Sequence, residues 1–156
     1  MCEMKFNVFE NIIEEIIMVY KHDNRPWLIG YSGGKDSTLL VYLTFQAIAR
    51  IPKNERTKKV YIITSDTMVE NPIVKKYMHE SSEKIMEASL EQKLNIESHI
   101  IYPEVHQTFW SRVIGLGYPT PEPPGFRWCT ERLKINPMNK FVDDCIKTNG
   151  EIIILL

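Results

Sequence analysis

Residues 30–40, Gly-Tyr-Ser-Gly-Gly-Lys-Asp-Ser-Thr-Leu-Leu, decide how the chain reads. Just upstream, Arg25-Pro26 bounds a short apolar run, Trp27-Leu28-Ile29, with the character of a buried strand. Just downstream, residues 39–48 read as a helix packed on a sheet. The quoted stretch is therefore a strand-to-helix turn. Gly33 and Gly34 open torsions closed to other residues and leave no side chain in the path of a ligand. The first N–H groups of the helix point into the turn, with the positive end of the helix dipole behind them. Lys35 adds a point charge, and Ser32, Ser37 and Thr38 add hydroxyls. Together these make a phosphate cradle. Its spacing is neither that of the Walker A loop nor that of GxGxxG. A plain helix cap by Asp36 or Ser37, with glycines serving a tight turn, is the bland reading; it leaves Lys35 unexplained.

Outward from the turn, strands alternate with helices. Phe9, Ile12, Ile13, Ile16, Ile17 and Tyr20 recur at helical spacing ahead of it. After it come an apolar β-branched run, residues 60–64, and a helix over about 71–94 opened by Asn71-Pro72. Residues 96–102 read as a third strand and 104–114 as a helix stopped by Gly115 and Gly117. The proline-rich stretch 118–125 is neither helix nor strand, and reads either as a lid or as a plain connection. Asn136-Pro137 repeats the cap-and-proline device before a helix to about Lys147, and Asn149-Gly150 turns into a fourth strand, 151–156. Such alternation predicts an α/β fold, a parallel sheet with helices on both faces in the order three-two-one-four. Ligands of these sheets sit at the carboxyl ends of the strands, so the glycine turn and Ser65-Asp66-Thr67 mark the expected site.

The bulk properties fit one domain over 1–156. The chain has 156 residues and a net charge of -1, so no global basic field advertises nucleic acid. Its three cysteines form no CxxC pair. No apolar run is long enough to cross a bilayer, and the acidic, amphipathic N-terminus is unlike a signal peptide. A cytoplasmic protein with no membrane partner is the expectation.

Ser32-Gly-Gly-Lys-Asp-Ser37 resembles the PP-loop of the ATP pyrophosphatase superfamily, which includes PAPS reductases, GMP synthetases and tRNA thiolases. Residues 64–72, Thr-Ser-Asp-Thr-Met-Val-Glu-Asn-Pro, and 126–137, Phe-Arg-Trp-Cys-Thr-Glu-Arg-Leu-Lys-Ile-Asn-Pro, resemble motifs of the PAPS reductase branch. With residues 23–31 and 107–110, the pattern most resembles the DndC sulfurtransferases of DNA phosphorothioation, over nearly the whole chain. The resemblance implies an adenine nucleotide α-hydrolase-like fold, ATP cleaved between its α- and β-phosphates, and an adenylated acceptor from which a nucleophile displaces AMP. It implies ATP and Mg2+ as ligands, an iron–sulfur cluster in full-length relatives, DNA as substrate, and a cysteine desulfurase and other Dnd proteins as partners. It also implies a chain that continues beyond Leu156; this one is expected to be truncated after the fourth strand, short of the usual glycine-and-arginine turn and of further cysteines. The alternatives are a PAPS or adenylyl-sulfate reductase-like sulfonucleotide enzyme, and a non-catalytic nucleotide-binding or assembly domain.

The residues expected to hold the nucleotide are Ser32, Gly33, Gly34, Lys35, Asp36, Ser37, Thr38, Asp66, Thr67 and Lys134. Those expected to act in the chemistry are Lys35, Asp36, Arg127 and Cys129. Asp36 and Asp66 are the expected metal ligands, against the plainer role of helix or loop caps. A Cys129 thiolate beside Arg127 and Arg132 has a lowered pKa and serves as sulfur carrier or cluster ligand; otherwise it is a small buried residue beside Trp128. Arg127, Arg132 and Lys134 read as one basic cluster, a phosphate clamp or a solvated patch. Cys145 reads as packing, and three cysteines cannot close a four-thiolate site. His106 reads as able to approach the site; His22, His79 and His99 read as surface or edge residues.

Overall fold

A computed structural model describes residues 3–121 and 127–155. Its centre is a four-stranded, all-parallel sheet in the order β3-β2-β1-β4. The strands are β1 (Trp27–Gly30), β2 (Val60–Ser65), β3 (Ile96–Ile101) and β4 (Ile153–Leu155). Side chains of a strand alternate between faces, so β1 and β2, apolar at nearly every position, must be covered on both sides.

On one face Ile29, Val60, Ile62 and Ile96 pack against Val41, Phe45 and Ile48 of α2 (Lys35–Arg50) and Ile85 and Ala88 of α3 (Pro72–Glu91). The amphipathic α1 (Glu3–His22) lies on this layer, with Ile13 against Leu43 and Ala47 of α2. On the other face Leu28, Tyr61 and Ile63 meet Met138, Phe141, Val142 and Cys145 of α5 (Asn136–Asn149). Cys145 is thus a core residue, as its sequence context suggests, and burial pushes its thiol pKa up.

The two sheet edges differ. Outward-facing groups of an edge strand invite pairing with another chain. At β3 they are occupied from α3: Ser89 Oγ donates to the Ile96 carbonyl (2.7 Å), and the Ser98 N–H donates to Met86 Sδ (3.0 Å). At β4, which pairs with β1, Ile154 is exposed. Among the described residues no strand lies beyond β4.

Two expected elements change form. Residues 104–114 make a single 3-10 turn, Val105–Gln107, and a wide turn, Ser111–Gly115, instead of one helix. Thr108 Oγ1 and Ser111 Oγ both donate to the Val105 carbonyl, at 2.9 and 2.8 Å. These local side-chain bonds compete with the helical ladder for that acceptor. Asn136 does not cap α5. The helical path already begins at α4 (Trp128–Thr130) and runs through a wide turn, Glu131–Ile135, straight into α5. Pro137 can donate no bond to the turn before it, and the ladder widens just upstream of the proline. Asn71 does cap α3, its side chain accepting from the Ile73 N–H at 2.9 Å.

Among the described residues no helix is long and apolar enough to cross a membrane.

Candidate functional site

The glycine turn stands at the carboxyl end of β1, beside the carboxyl end of β2 and close to where the chain order reverses between β1 and β4. Gly34 is the N-cap of α2, and the first helical bond runs from the Thr38 N–H to its carbonyl (3.0 Å). The N–H groups of Lys35, Asp36 and Ser37 therefore precede the helical ladder and face the turn. Two hydroxyls brace the loop. Ser37 Oγ donates to the Gly34 carbonyl (3.2 Å) and lies 3.1 Å from Ser32 Oγ. Ser37 thus staples the loop, while Asp36 lies exposed in the first turn of α2 and caps nothing.

The two glycines are not equivalent. Gly33 has a φ of +73°, where a side chain is strained, and an added Cβ would sit 3.1 Å from the ring of Tyr77 on α3. Gly34 has ordinary extended torsions, and its added Cβ would meet only Ser32 Oγ, at 3.3 Å. Gly33 is required by conformation; Gly34 keeps the helix N-terminus approachable.

A cleft of about 410 Å3 opens at the strand ends, between Ser32, Thr64 and Ser65 on one side and Glu70, Val74, Lys134 and Met138 on the other. That volume suits a small-molecule ligand. An adjoining pocket of about 270 Å3 is lined by Thr67, Phe109, Cys129 and Leu133. Glu70 and Lys134 line both. On the outer side of the loop, Lys35 and Thr38 flank a shallow depression with Tyr42. The structure thus brings Ser32, Thr67, and Cys129 with Lys134 to one region from three separate stretches of sequence.

Asp66 is a correction. Its carboxylate is fully buried and turned into the base of α3, away from the cleft. Oδ1 accepts the Met68 N–H (2.8 Å), which holds Met68 at a φ of +63°. Oδ2 faces Lys75 Nζ at 3.6 Å and His79 Nε2 at 3.9 Å. With Oδ1 spent on its own turn and Oδ2 turned toward two basic groups, Asp66 does not face the cleft as a metal ligand would, whereas Asp36 is exposed beside the loop. His79 is likewise no mere surface residue: its Nε2 is buried against Asp66.

The basic cluster is divided. Lys134 lines the loop cleft, whereas Arg132 points to the other side of the wide turn, donates to Gln107 Oε1 (2.6 Å) and lies over the ring of Tyr118 (5.6 Å). Arg127 is exposed at the start of α4. Cys129 is half-buried, beside buried Trp128, whose indole N–H donates to the Pro119 carbonyl (3.0 Å). Tyr118 packs edge-on against Trp128, so this part of the proline stretch is a buttress for the Cys129 segment; residues 122–126 lie outside the described residues. His106 is exposed and stands 3.6 Å from Glu104, away from the loop. The two described thiols, Cys129 at its pocket and Cys145 in the core, share no site, and Cys2 lies outside the described residues. Among the described residues no group of three or more His, Cys, Asp or Glu side chains is arranged to hold a metal. A cluster bound by thiolates alone does not fit what is present.

Tyr77 carries no signal of its own in the sequence, and Glu70 is marked there only as part of the 64–72 motif. Each matters through a long-range contact: Tyr77 with Gly33, and Glu70 through the cleft it shares with Lys134.

No family model matches the chain, and no solved structure matches it. An uncharacterized protein of Methanocaldococcus jannaschii is similar, 26% identical over 141 residues. That alignment covers 88% of this chain and 24% of the relative, so the chain spans about a quarter of the length of the curated protein it matches.

Proposed function

We propose that the chain is a PP-loop domain with the adenine nucleotide α-hydrolase fold, binding ATP and splitting it between the α- and β-phosphates to adenylate an acceptor. The observation that carries this is the Ser32–Ser37 loop, with a positive-φ glycine, at the carboxyl end of β1 in one cleft with Lys134. The β- and γ-phosphates rest on the N–H groups of Lys35, Asp36 and Ser37, and the Lys35 ammonium supplies a charge-assisted contact. Asp36 would hold Mg2+, which when bound would supply charge neutralisation for the phosphates. Lys134 serves the α-phosphate side. The acceptor oxygen attacks the α-phosphorus, pyrophosphate leaves into the loop, and the acceptor carries AMP. A sulfur nucleophile then displaces AMP.

Resemblance to DndC supports a DNA phosphate as the acceptor, and a cysteine desulfurase and partner Dnd proteins as the source of sulfur. Cys129, in the adjoining pocket, is the candidate carrier. The buried orientation of Asp66 favours the second reading, a module that holds the nucleotide without turning it over.

Titration with ATP and Mg2+, with pyrophosphate release followed, tests the proposal. Lys35→Ala is expected to lower ATP affinity by about 10- to 150-fold, the equivalent of one hydrogen bond to a charged group. Equal affinity for the two proteins removes Lys35 from the site. Binding without pyrophosphate release selects the second reading.

Cys129 is expected to react with iodoacetamide faster than Cys145 at neutral pH, because the thiolate is the reactive form and burial holds Cys145 as a thiol. ATP with Mg2+ is expected to slow the reaction at Cys129. Mass-spectrometric mapping of alkylation against time reads both. If Cys145 reacts first, or Cys129 reacts only in denaturant, Cys129 is a packing residue.

A further inference from the structure

A second cavity lies on the far side of the wide turn from the glycine loop. It has a volume of about 500 Å3 between the end of β3 and α5. Its floor is apolar and partly aromatic, from Ile101, Tyr102 and Phe141. Its rim is charged, and most of that charge is already paired. Glu104 accepts from Lys140 at 2.9 Å, and Asp144 from Lys147 at 2.9 Å. Arg132 differs. Among the described residues it has no carboxylate partner, yet its guanidinium is fixed by Gln107 on one side and the Tyr118 ring on another. A guanidinium has five N–H donors in a planar fork, so one amide oxygen leaves most of them available.

We propose that this cavity is a second ligand site, separate from the phosphate loop, for a small organic anion with one negative charge on a flat apolar body. The volume lies within the range of small-molecule sites, and the pattern is theirs too: an apolar floor with a few fixed polar groups. Tyr102 and Phe141 receive the body, and Arg132 receives the charge. The same rim argues against a polyphosphate. The Glu104 and Asp144 carboxylates would face the additional charges, no glycine turn is among the lining residues, and the start of α5 adds no N–H from its first two residues, since Asn136 N–H donates to the Glu131 carbonyl and Pro137 has none. The inference does not rest on the nucleotide reading. The turn Glu131–Ile135 would then stand between two ligands, with Lys134 toward one and Arg132 toward the other.

Isotope-labelled protein titrated with the naphthoate ion, and separately with uncharged naphthylmethanol, tests this by amide shifts. The naphthoate ion is expected to move Ile101, Tyr102 and Phe141 and to leave Gly33, Gly34 and Ser37 in place, with or without ATP. The alcohol is expected to bind about tenfold more weakly or worse, the usual discrimination from one contact to a charged group. Arg132→Gln is expected to reduce the acid to the affinity of the alcohol, and Arg132→Lys to recover part of it. Asn136→Trp, at an exposed rim position, is expected to block both probes in an otherwise unchanged spectrum; it decides the matter if loss of Arg132 disturbs the segment. Equal affinity for acid and alcohol, shifts centred on the glycine loop, or undiminished binding by Asn136→Trp overturns the proposal.

Discussion

Gly33→Val is expected to abolish measurable ATP binding, while Gly34→Ala weakens it without abolishing it. The two residues are adjacent, but they differ in backbone torsion and in the atoms a side chain would meet, and valine adds a β-branch that alanine lacks. Gly33 sits at a φ of +73°, where a non-glycine residue costs roughly 1–2 kcal/mol and a β-branched one more. Its new Cβ also meets the Tyr77 ring at 3.1 Å. Valine at this position forces the loop, the Tyr77 ring or both to shift, and a shifted loop scatters the N–H groups of Lys35, Asp36 and Ser37. Gly34, at a φ of -76°, demands only that Ser32 Oγ give way by a few tenths of an ångström. Calorimetric titration with ATP and Mg2+ reads the affinities, and thermal unfolding reads the strain. The double variant Gly33→Val/Tyr77→Ala separates clash from torsion. If removing the ring restores binding, the contact with Tyr77 was the obstacle; if it does not, the positive φ was. Normal binding by Gly33→Val itself leaves the loop a mere connection.

The sheet was legible because its evidence is local. Trp27–Ile29 and Val60–Ile63 are apolar at consecutive positions, as in a strand covered on both faces, and each is followed by a helix that leads to a parallel neighbour. The glycine loop was legible for the same reason: its chemistry lies within six consecutive residues. What escaped reading depends on contacts across the fold. Asp66 ends a strand in the place where a ligand-binding carboxylate is expected, yet Lys75 and His79, on the next helix, draw it inward. Arg132 and Lys134, two residues apart, diverge because a wide helical turn with proline behind it puts them on opposite sides. Residues 104–114 have helical spacing, but Thr108 and Ser111 take the carbonyl that the helix needs.

Lys58 is the clearest case of a residue whose sequence setting conceals its role. It stands in a charged stretch before β2, yet its side chain is 1% exposed. The ammonium lies 4.8 Å from the ring centre of Trp27 and 5.1 Å from that of Tyr20, and it donates to Asp23 Oδ1 at 2.9 Å. Tyr20 OH in turn donates to the Lys58 carbonyl at 3.0 Å. One side chain thereby ties α1, the approach to β1 and the start of β2. Lys58→Met keeps the apolar stem and removes the charge. It is expected to cost about 2 kcal/mol, the worth of a desolvated cation–π contact, and to lower the melting temperature by roughly 4–8 °C. Asp23 is not orphaned by that change, since Arg25 still holds it at 2.7 Å. Asp23→Asn is the more damaging substitution, because it leaves a buried cation with no counter-ion. The pair Asp23→Asn/Lys58→Met is therefore expected to be more stable than Asp23→Asn alone.

The pH dependence follows from the same pair. Hydrogen bonds from Lys58, then from Arg25, hold the Asp23 carboxyl well below the usual carboxylate range. A carboxyl group lowered in the folded state contributes stability that is complete above its unfolded pKa, about 3.9, and is lost as the pH falls below it. Wild type is expected to lose stability as the pH falls from about 4 toward 2 more steeply than Asp23→Asn, which has no proton to take up. Denaturant midpoints measured across that interval decide it. Parallel pH profiles for the two proteins would show that Asp23 takes up its proton alike in the folded and unfolded chain, and a Lys58→Met variant as stable as wild type would show that the aromatic pair packs as well around a neutral chain as around the ammonium.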